Sequence, residues 1–279
     1  MEPNLMDILN KARLFLQQNG RDIDQARFEF HFGTLSIDSL LKVLGRYQNP
    51  DGGFHGLERD IAAPQSNPFA VEGALLICLW ANVPAESSLL VTAAAYLEHT
   101  QDPDGGWRFV PEIYEHKLAP WFQGWPWPNL NPTCTIAGLL LELKLISSSV
   151  LNRVQQLFER LQKPDEVTQG EFYSVRPYAM YFIPETGSPH QAFYRSELVN
   201  WFIRQHQLNK MDNSHFFEYI RSPRTYAGEK IPLEILNTRL DLLSAEQADD
   251  GGWPSPYDAH WRPWITVNNL LVLREFGRI

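Results

Sequence analysis

The sequence is poor in cysteine. Only Cys78 and Cys134 occur among its 279 residues, and both lie within apolar stretches with helical spacing. Two cysteines cannot build the disulfide framework that stabilises many small secreted domains, and such scarcity is typical of a protein in a reducing compartment. We therefore expect two buried, unreactive thiols and a cytoplasmic location.

Long apolar runs are also missing. The longest, residues 136–146, is shorter than the roughly 18 residues that a membrane-spanning helix needs, and it contains Glu142 and Lys144. Residues 1–7 have neither a basic segment nor a continuous apolar segment, so we expect them to begin the first helix rather than to form a signal peptide. The sequence predicts no integral membrane segment.

Basic runs are absent as well. The chain has 33 acidic and 24 basic residues and a formal charge of −9. Nucleic acids and anionic membrane surfaces attract proteins through clusters of lysine and arginine, so neither is an expected partner. The hydrophobic content of 44% is enough for a sizeable core and excludes a disordered chain.

What the sequence does contain is a repeated motif. Its three clearest copies are QNPDGGF at residues 48–54, QDPDGGW at 101–107 and QADDGGW at 247–253. Each copy follows apolar residues spaced three and four apart, which predicts that it ends an amphipathic helix. The glycines permit positive φ, and the glutamine amide can bind carbonyls left free in the last helical turn. We interpret Asp51, Asp104 and Asp250 as turn formers, because aspartate accepts hydrogen bonds from the backbone of its own turn.

Asn-Pro pairs follow two of these motifs. Asn67 and Pro68 precede one small, apolar helical stretch, and Asn131 and Pro132 precede another. Asparagine is a favoured N-cap and proline suits the first helical position, so both pairs predict helix starts. Fainter copies of the glutamine element lie at residues 17–20, 162–165 and 205–207. Six copies correspond to one helical hairpin per about 46 residues.

We therefore predict an all-α protein in which residues 1–279 form a single domain. The expected architecture is an α/α toroid, a closed barrel of about six hairpins with buried inner helices and amphipathic outer helices. The motif resembles the QW repeats of squalene and oxidosqualene cyclases and of protein prenyltransferase β subunits, and the resemblance covers nearly the whole chain. Residues 51–60 resemble bacterial proteins described as prenyltransferase-like or squalene-cyclase-like. The resemblance implies an isoprenoid-type apolar substrate in a central aromatic cavity.

Motifs that carry the chemistry of that superfamily are missing. Residues 22–25 contain only part of the initiating Asp-x-Asp-Asp motif. Asp-Asp-x-x-Asp, which binds magnesium diphosphate, is also absent, because Asp249 and Asp250 belong to the third turn. Neither cysteine has the nearby aspartate and later histidine of the prenyltransferase zinc site. We therefore expect no metal and no other cofactor.

Three loops longer than a turn requires follow the clear motifs, at residues 54–66, 107–130 and 253–265. In a closed ring they would open at one end, and concave aromatic pockets with a few polar groups are typical ligand sites. We therefore predict that residues of all three loops line one cavity mouth. The predicted catalytic residues are Glu58, Asp60, His116 and Asp258, and the predicted substrate-binding residues are Arg59, Trp121, Trp125, His260 and Trp261.

Three functions fit these features. The first is chemistry on an isoprenoid, in which aromatic faces stabilise carbocations and a carboxylic acid supplies the proton. The second is a carbohydrate-active (α/α)6-barrel hydrolase or lyase, with Glu58 or Asp60 opposite Glu112 or Asp258. The third is a non-catalytic binding module that has kept the toroid, which the missing initiation motifs favour. The expected ligand is a small molecule, apolar or sugar-like, and no partner protein is indicated.

Overall fold

The computed structural model describes residues 5–279, and this part of the chain is helical. It contains isolated bridges between Gln48 and Phe54 and between Ile61 and Leu118, but no β-strand. The prediction of an all-α protein is confirmed. The first four of residues 1–7 lie outside the described residues. The α-helices are α1 (Leu5–Asn19), α2 (Asp22–Phe32), α3 (Ile37–Leu44), α4 (Pro68–Trp80), α5 (Ser88–Thr100), α6 (Leu130–Glu142), α7 (Ser148–Leu161), α8 (Pro164–Gln169), α9 (Phe172–Tyr181), α10 (Gln191–Leu208), α11 (Asn213–Tyr219), α12 (Tyr226–Lys230), α13 (Leu233–Ala245) and α14 (Arg262–Glu275).

The chain divides into two compact units. The first-loop unit, named for the loop at 54–66, is Leu44–Tyr194, and it holds α4 to α9. The third-loop unit, named for the loop at 253–265, comprises the chain up to Val43 together with Arg195–Ile279. In it, α2 packs against α1 and α14, and α11 packs against α13 and α14. The single domain and the closed ring remain predictions.

Helix α6 is the centre of the first-loop unit. It packs against α4, α7 and α9, and its residues 130–140 are all buried. Gly138 permits the close approach of α9, because a Cβ at this position would lie 2.3 Å from the carbonyl oxygen of Met180. The small, apolar sequence of α6 therefore gives a helix that is packed on all sides, as expected for an inner helix.

Helices α5 and α7 are amphipathic. α5 buries Leu90, Ala93 and Leu97, while α7 buries Val150 and Val154 and, one turn further, Leu157 and Phe158. These intervals of three and four residues place the apolar side chains on one face of each helix. Their amphipathic character agrees with the sequence prediction, and their place in an outer ring remains a prediction.

The glutamine of each clear motif ties its turn to a neighbouring helix. The Nε2 of Gln101 donates to the carbonyl of Gly105 (2.9 Å) and to that of Val150 in α7 (3.3 Å). The other two motifs repeat this pair of bonds, from Gln48 to Gly52 and to Leu89 in α5, and from Gln247 to Gly251 and to Ile8 in α1.

The prediction that this amide binds the last carbonyls of the preceding helix is therefore wrong. In the two copies that end in tryptophan, the indole folds back along the preceding helix and reaches a carbonyl of its last turn. The Nε1 of Trp107 donates to the carbonyl of Leu97 (2.8 Å), and that of Trp253 donates to the carbonyl of Leu243 (2.7 Å).

The aspartates of the motif form the turns, as predicted. The Oδ1 atoms of Asp51, Asp104 and Asp250 accept hydrogen bonds from the backbone N–H two residues later. In the middle copy, Gly105 has φ +98°, and a Cβ there would lie 2.2 Å from the carbonyl oxygen of Arg153 in α7. Glycine is required here by both the backbone conformation and the close approach of the neighbouring helix.

Both cysteines lie on buried faces, Cys78 in α4 and Cys134 in α6, and neither is exposed. Burial raises the pKa of the Cys78 thiol to about 12, and it also raises the pKa of the Cys134 thiol. A protonated, inaccessible thiol is a poor nucleophile. The prediction of two buried, unreactive thiols is confirmed.

The two adjacent glycines of the middle motif provide a matched test of this packing. Gly105→Ala should lower the free energy of unfolding by about 3 kcal/mol or more, since it adds both backbone strain and a clash with a main-chain atom. Gly106→Ala should cost about 1 kcal/mol or less, because φ there is not positive and the nearest atom to a new Cβ is Oγ1 of Thr133 at 3.3 Å. Urea unfolding of the two variants measures the difference, and equal losses would contradict the role given to Gly105.

Candidate functional site

The first two loops lie side by side in the first-loop unit. The backbone N–H of Ala119 donates to the carbonyl of Asp60 (2.9 Å), and that of Ala62 donates to the carbonyl of Lys117 (3.0 Å). Ile61 and Leu118 form the bridge between these two bonds. This short antiparallel pairing holds loops 54–66 and 107–130 together, and the cavity mouth that all three loops should line remains a prediction.

Apolar side chains from both loops and from the start of α4 pack into one group, which we call the aromatic cluster. Edge-to-face and tilted ring contacts dominate it, which are the favourable geometries for aromatic pairs. The ring centroids of Phe69 and Phe122 are 4.8 Å apart, and those of Phe69 and Trp125 are 5.3 Å apart with an interplanar angle of 85°. The members of the cluster are Ile61, Ala63, Phe69, Phe109, Ile113, Leu118, Ala119, Phe122, Trp125 and Trp127.

Glu58 is joined to this cluster through its backbone, since its carbonyl accepts from the N–H of Ile61 (3.4 Å), a member of the cluster. It is half-buried, and its Oε1 accepts a hydrogen bond from the backbone N–H of Asp60 (3.1 Å). Burial raises the pKa of Glu58 to about 8, and the negative charges of Asp60 and Glu72 raise it as well. The backbone hydrogen bond and the charge of Arg176 oppose this rise but do not cancel it. The carboxyl group is therefore mostly protonated at neutral pH.

A buried ion pair lies close enough to Glu58 to affect its pKa. Glu72 in α4 pairs with Arg176 in α9. Arg176 also donates to Oδ1 of Asn131 (3.1 Å) and to Oγ1 of Thr135 (3.4 Å), both in α6. One guanidinium group thus joins three packed helices through polar contacts. Such pairs are costly to break, because removing one partner leaves a buried charge.

Asn131 belongs to this polar group and not to a helix cap. Asn67 caps α4 as predicted, with its Oδ1 accepting from the backbone N–H of Ala70 (2.9 Å). Asn131 has an extended backbone (φ −97°, ψ 122°), so the regular part of α6 starts at Pro132 as predicted, but the Asn131 side chain does not make the bond that Asn67 makes. Asn129 precedes it, and its Oδ1 accepts from the backbone N–H of Asn131 (2.9 Å). The Asn131 side chain is left to accept from Arg176.

The other predicted residues of the first two loops differ in exposure. Trp125 is half-buried in the cluster, and its buried Nε1 has no hydrogen-bond acceptor among the described residues. Trp121 is 52% exposed and contacts only the edge of the cluster, at Phe122. Arg59 and His116 are half-buried. Of the predicted site residues, Trp125 belongs to the aromatic cluster, and Glu58 and Asp60 are joined to it by backbone hydrogen bonds with Ile61 and Ala119.

The third loop belongs to the third-loop unit. Asp258 is exposed there, and its carboxylate lies 3.9 Å from Nδ1 of His260. The ring of Trp261 lies between those of His260 (6.0 Å) and Tyr257 (6.1 Å). Asp258, His260 and Trp261 are therefore close neighbours. Their meeting with the first two loops at one mouth remains a prediction.

Sequence reasoning missed Glu72 and Arg176. A signal for the first was present, since Glu72 is the one charged residue of the otherwise apolar α4. Arg176 has a similar signal, since it is the one charged residue in α9. Charged residues in buried helices are normally paired, but their separation by 104 positions hides which residue pairs with which.

A comparison of the chain with protein-family models, with curated proteins and with solved structures gave no match. Within residues 5–279, no three histidine, cysteine, aspartate or glutamate side chains are arranged to hold a metal ion. None of the described helices has both the length and the apolar character needed to cross a membrane.

The raised pKa of Glu58 predicts a dependence of stability on pH. The unfolded carboxyl loses its proton near pH 4.5 and the folded one near pH 8. The contribution of this group is therefore complete below about pH 4.5 and is lost as the pH rises through about 8. In Glu58→Gln the side chain stays neutral, so the decrease in unfolding free energy between about pH 5 and 9 should shrink by about 1–3 kcal/mol.

Glu112→Gln is the control for this measurement, because Glu112 is an exposed carboxylate on the second loop. It should leave the slope of stability against pH as it is in the unsubstituted protein. Denaturant unfolding at several pH values gives these slopes. The same slope in Glu58→Gln and in the unsubstituted protein would show that Glu58 is not a raised-pKa acid.

Proposed function

We propose that this chain binds an isoprenoid-type apolar ligand against the aromatic cluster and that Glu58 donates a proton to it. The observation that carries the proposal is a carboxylic acid with a pKa of about 8 whose backbone is hydrogen-bonded to Ile61, a member of the aromatic cluster. Proton donors with a raised pKa and aromatic walls are the two components that acid-initiated alkene chemistry requires. We include a cytoplasmic location in the proposal, since the only two thiols are free and buried.

Glu58 has the properties of a general acid. At neutral pH its proton is present, and the backbone N–H of Asp60 holds one carboxyl oxygen in place. A carboxylic acid kept neutral by its surroundings can give its proton to a substrate under conditions where an exposed glutamate is ionised. It could serve in place of the Asp-x-Asp-Asp acid that the sequence lacks.

A positively charged group lies near the carboxylate that remains after proton transfer. Donation leaves a carboxylate on Glu58, and the positive charge of Arg176 favours that form. Glu72 limits this effect, because it pairs with the same guanidinium group. The ion pair would therefore hold the acid at an intermediate strength, with a proton that is retained at neutral pH but available for transfer.

The aromatic cluster would stabilise the carbocation that protonation of an alkene creates. When the Glu58 proton adds to one carbon of an alkene, the π electrons form the new C–H bond and the other carbon becomes positive. The faces of Phe69, Phe122 and Trp125 are the groups that would stabilise this charge, as aromatic quadrupoles attract cations. Loss of a proton from a neighbouring carbon returns Glu58 to its starting state, so the net reaction is an isomerisation without redox change.

A non-catalytic binding module is the second candidate. The observation that favours it is the close packing of the cluster, in which Phe109 and Phe122 are about 5% exposed and cover one another's rings. An apolar ligand would then displace side chains to bind, and Glu58 together with the indole N–H of Trp125 would provide hydrogen bonds to a polar end of that ligand.

The experiment uses farnesol as the apolar probe and heavy water as the solvent. Binding is followed by the change in tryptophan fluorescence, and proton transfer by deuterium incorporated into carbon positions of the recovered farnesol. We expect the unsubstituted protein to bind farnesol and to incorporate deuterium. Glu58→Gln should bind it with similar affinity but incorporate at least about 100-fold less, the usual scale of a general acid.

Glu112→Gln is again the matched control and should behave like the unsubstituted protein. Binding without incorporation would support the non-catalytic module and contradict the acid role of Glu58. A failure of the unsubstituted protein to bind farnesol would contradict the proposed function as a whole.

A further inference from the structure

Three polar side chains of the third-loop unit form a continuous hydrogen-bonded chain, apart from the site described above. The Oδ2 of Asp212 lies 2.5 Å from Nδ1 of His215. The Nε2 of the same imidazole lies 2.7 Å from the phenolic oxygen of Tyr257, and the two rings meet edge to face. We call these three residues the Asp-His-Tyr chain.

The aspartate end of this chain is exposed, but hydrogen bonds hold its backbone in place. The Oδ1 of Asp212 accepts from the backbone N–H of His215 (2.9 Å), so the aspartate is also the N-cap of α11. The buried Arg239 in α13 donates to the carbonyl of Met211 (2.7 Å) and to Oδ1 of Asn213 (3.0 Å). The residues on both sides of Asp212 are thereby fixed, which is the support that a preorganised polar site needs.

For a neutral His215, the chain allows one direction of proton movement. An ionised Asp212 accepts from Nδ1–H of His215, and this leaves the Nε2 lone pair to accept the phenolic proton of Tyr257. Two further charged groups act on Asp212 from α13 and its C-cap, Arg239 and Glu246. Partial desolvation would raise the pKa of Asp212, but the side-chain and backbone hydrogen bonds from His215 oppose it, and the pKa is lowered.

The tyrosine end of the chain lies in the third loop. Tyr257 is half-buried, and its backbone N–H donates to Oγ of Ser255 (3.0 Å). Trp261 is its aromatic neighbour, with ring centroids 6.1 Å apart, and His260 adjoins that indole. A flat indole beside polar hydrogen-bonding groups suits a ring that has apolar faces and hydroxyl edges.

We propose that the Asp-His-Tyr chain is a proton relay and that Tyr257 is the acid–base group of a second site, which takes a hydroxylated, sugar-like ligand against Trp261. The phenolic oxygen accepts the proton of a ligand hydroxyl while its own proton passes to Nε2 of His215. The ligand becomes an alkoxide and the imidazole becomes an imidazolium facing Asp212. Protons and charge balance, and no group is oxidised or reduced.

The test uses benzenesulfonyl fluoride, which reports phenolic nucleophilicity without requiring a known substrate. The phenolic oxygen bonds to sulfur, fluoride leaves, and the phenolic proton passes to His215. Peptide mass spectrometry at neutral pH measures the labelling rate of each tyrosine. Tyr257 should react at least about 10-fold faster than Tyr114 and Tyr173, which are more exposed but lie outside the relay.

Two variants separate the relay from a merely structural role. Asp212→Asn keeps a good N-cap for α11 but removes the carboxylate, and His215→Gln keeps an acceptor for the phenol but removes the imidazole that takes up the proton. Both should slow labelling of Tyr257 by about 10-fold and leave labelling of Tyr114 unchanged. Equal labelling of Tyr257 and Tyr114 in the unsubstituted protein, or unchanged labelling of Tyr257 in Asp212→Asn, would overturn the relay.

The ligand class is tested with maltose as the probe. Saturating maltose should slow labelling of Tyr257 several-fold without affecting Tyr114, while farnesol should not protect Tyr257. Rapid labelling that maltose does not slow would overturn the sugar-like ligand. This result does not depend on the outcome at Glu58, because the two sites share no residue.

Discussion

Each clear motif depends on a glutamine amide that holds two backbone carbonyls at once. In the middle copy, one carbonyl belongs to the turn at Gly105 and the other to Val150 at the start of α7. A hydrogen bond of this kind contributes about 1 kcal/mol, and a buried carbonyl without a partner costs more. The amide therefore sets how closely the neighbouring helix approaches, and this approach leaves no room for a Cβ at Gly105.

The position of the candidate site follows from these turns. Trp107 and Phe54 end their motifs at buried positions, and the long loops begin there. Because the two turns hold the loop ends in place, Asp60 and Ala119 can pair through their backbones. This pairing brings the aromatic residues of the second loop onto Phe69 at the start of α4, and it gives Glu58 the desolvated position that keeps its carboxyl protonated.

The two units hold a carboxyl group in opposite protonation states. In the first-loop unit, burial dominates, so Glu58 retains its proton. In the third-loop unit, hydrogen bonds from His215 lower the pKa of the exposed Asp212, so this group remains an anion. The first arrangement suits a proton donor to an apolar ligand, and the second suits proton exchange with a hydroxyl group. Neither the net charge nor the composition of the chain distinguishes the surroundings of Glu58 from those of Asp212.

The sequence by itself determined the helical class, the turns and the helix faces, because these depend on local spacing and on residues with restricted backbone preferences. Glycine pairs, aspartates and apolar residues three and four apart act within a few positions of one another. It also predicted Glu58 and Trp125 as site residues, and the structure places Trp125 in the aromatic cluster. Only the tertiary structure decided that Glu72 pairs with Arg176, that Asn131 joins them instead of capping α6, and that His215 reaches Tyr257. These contacts join residues up to 104 positions apart, and their energies depend on burial and distance, which no local pattern encodes.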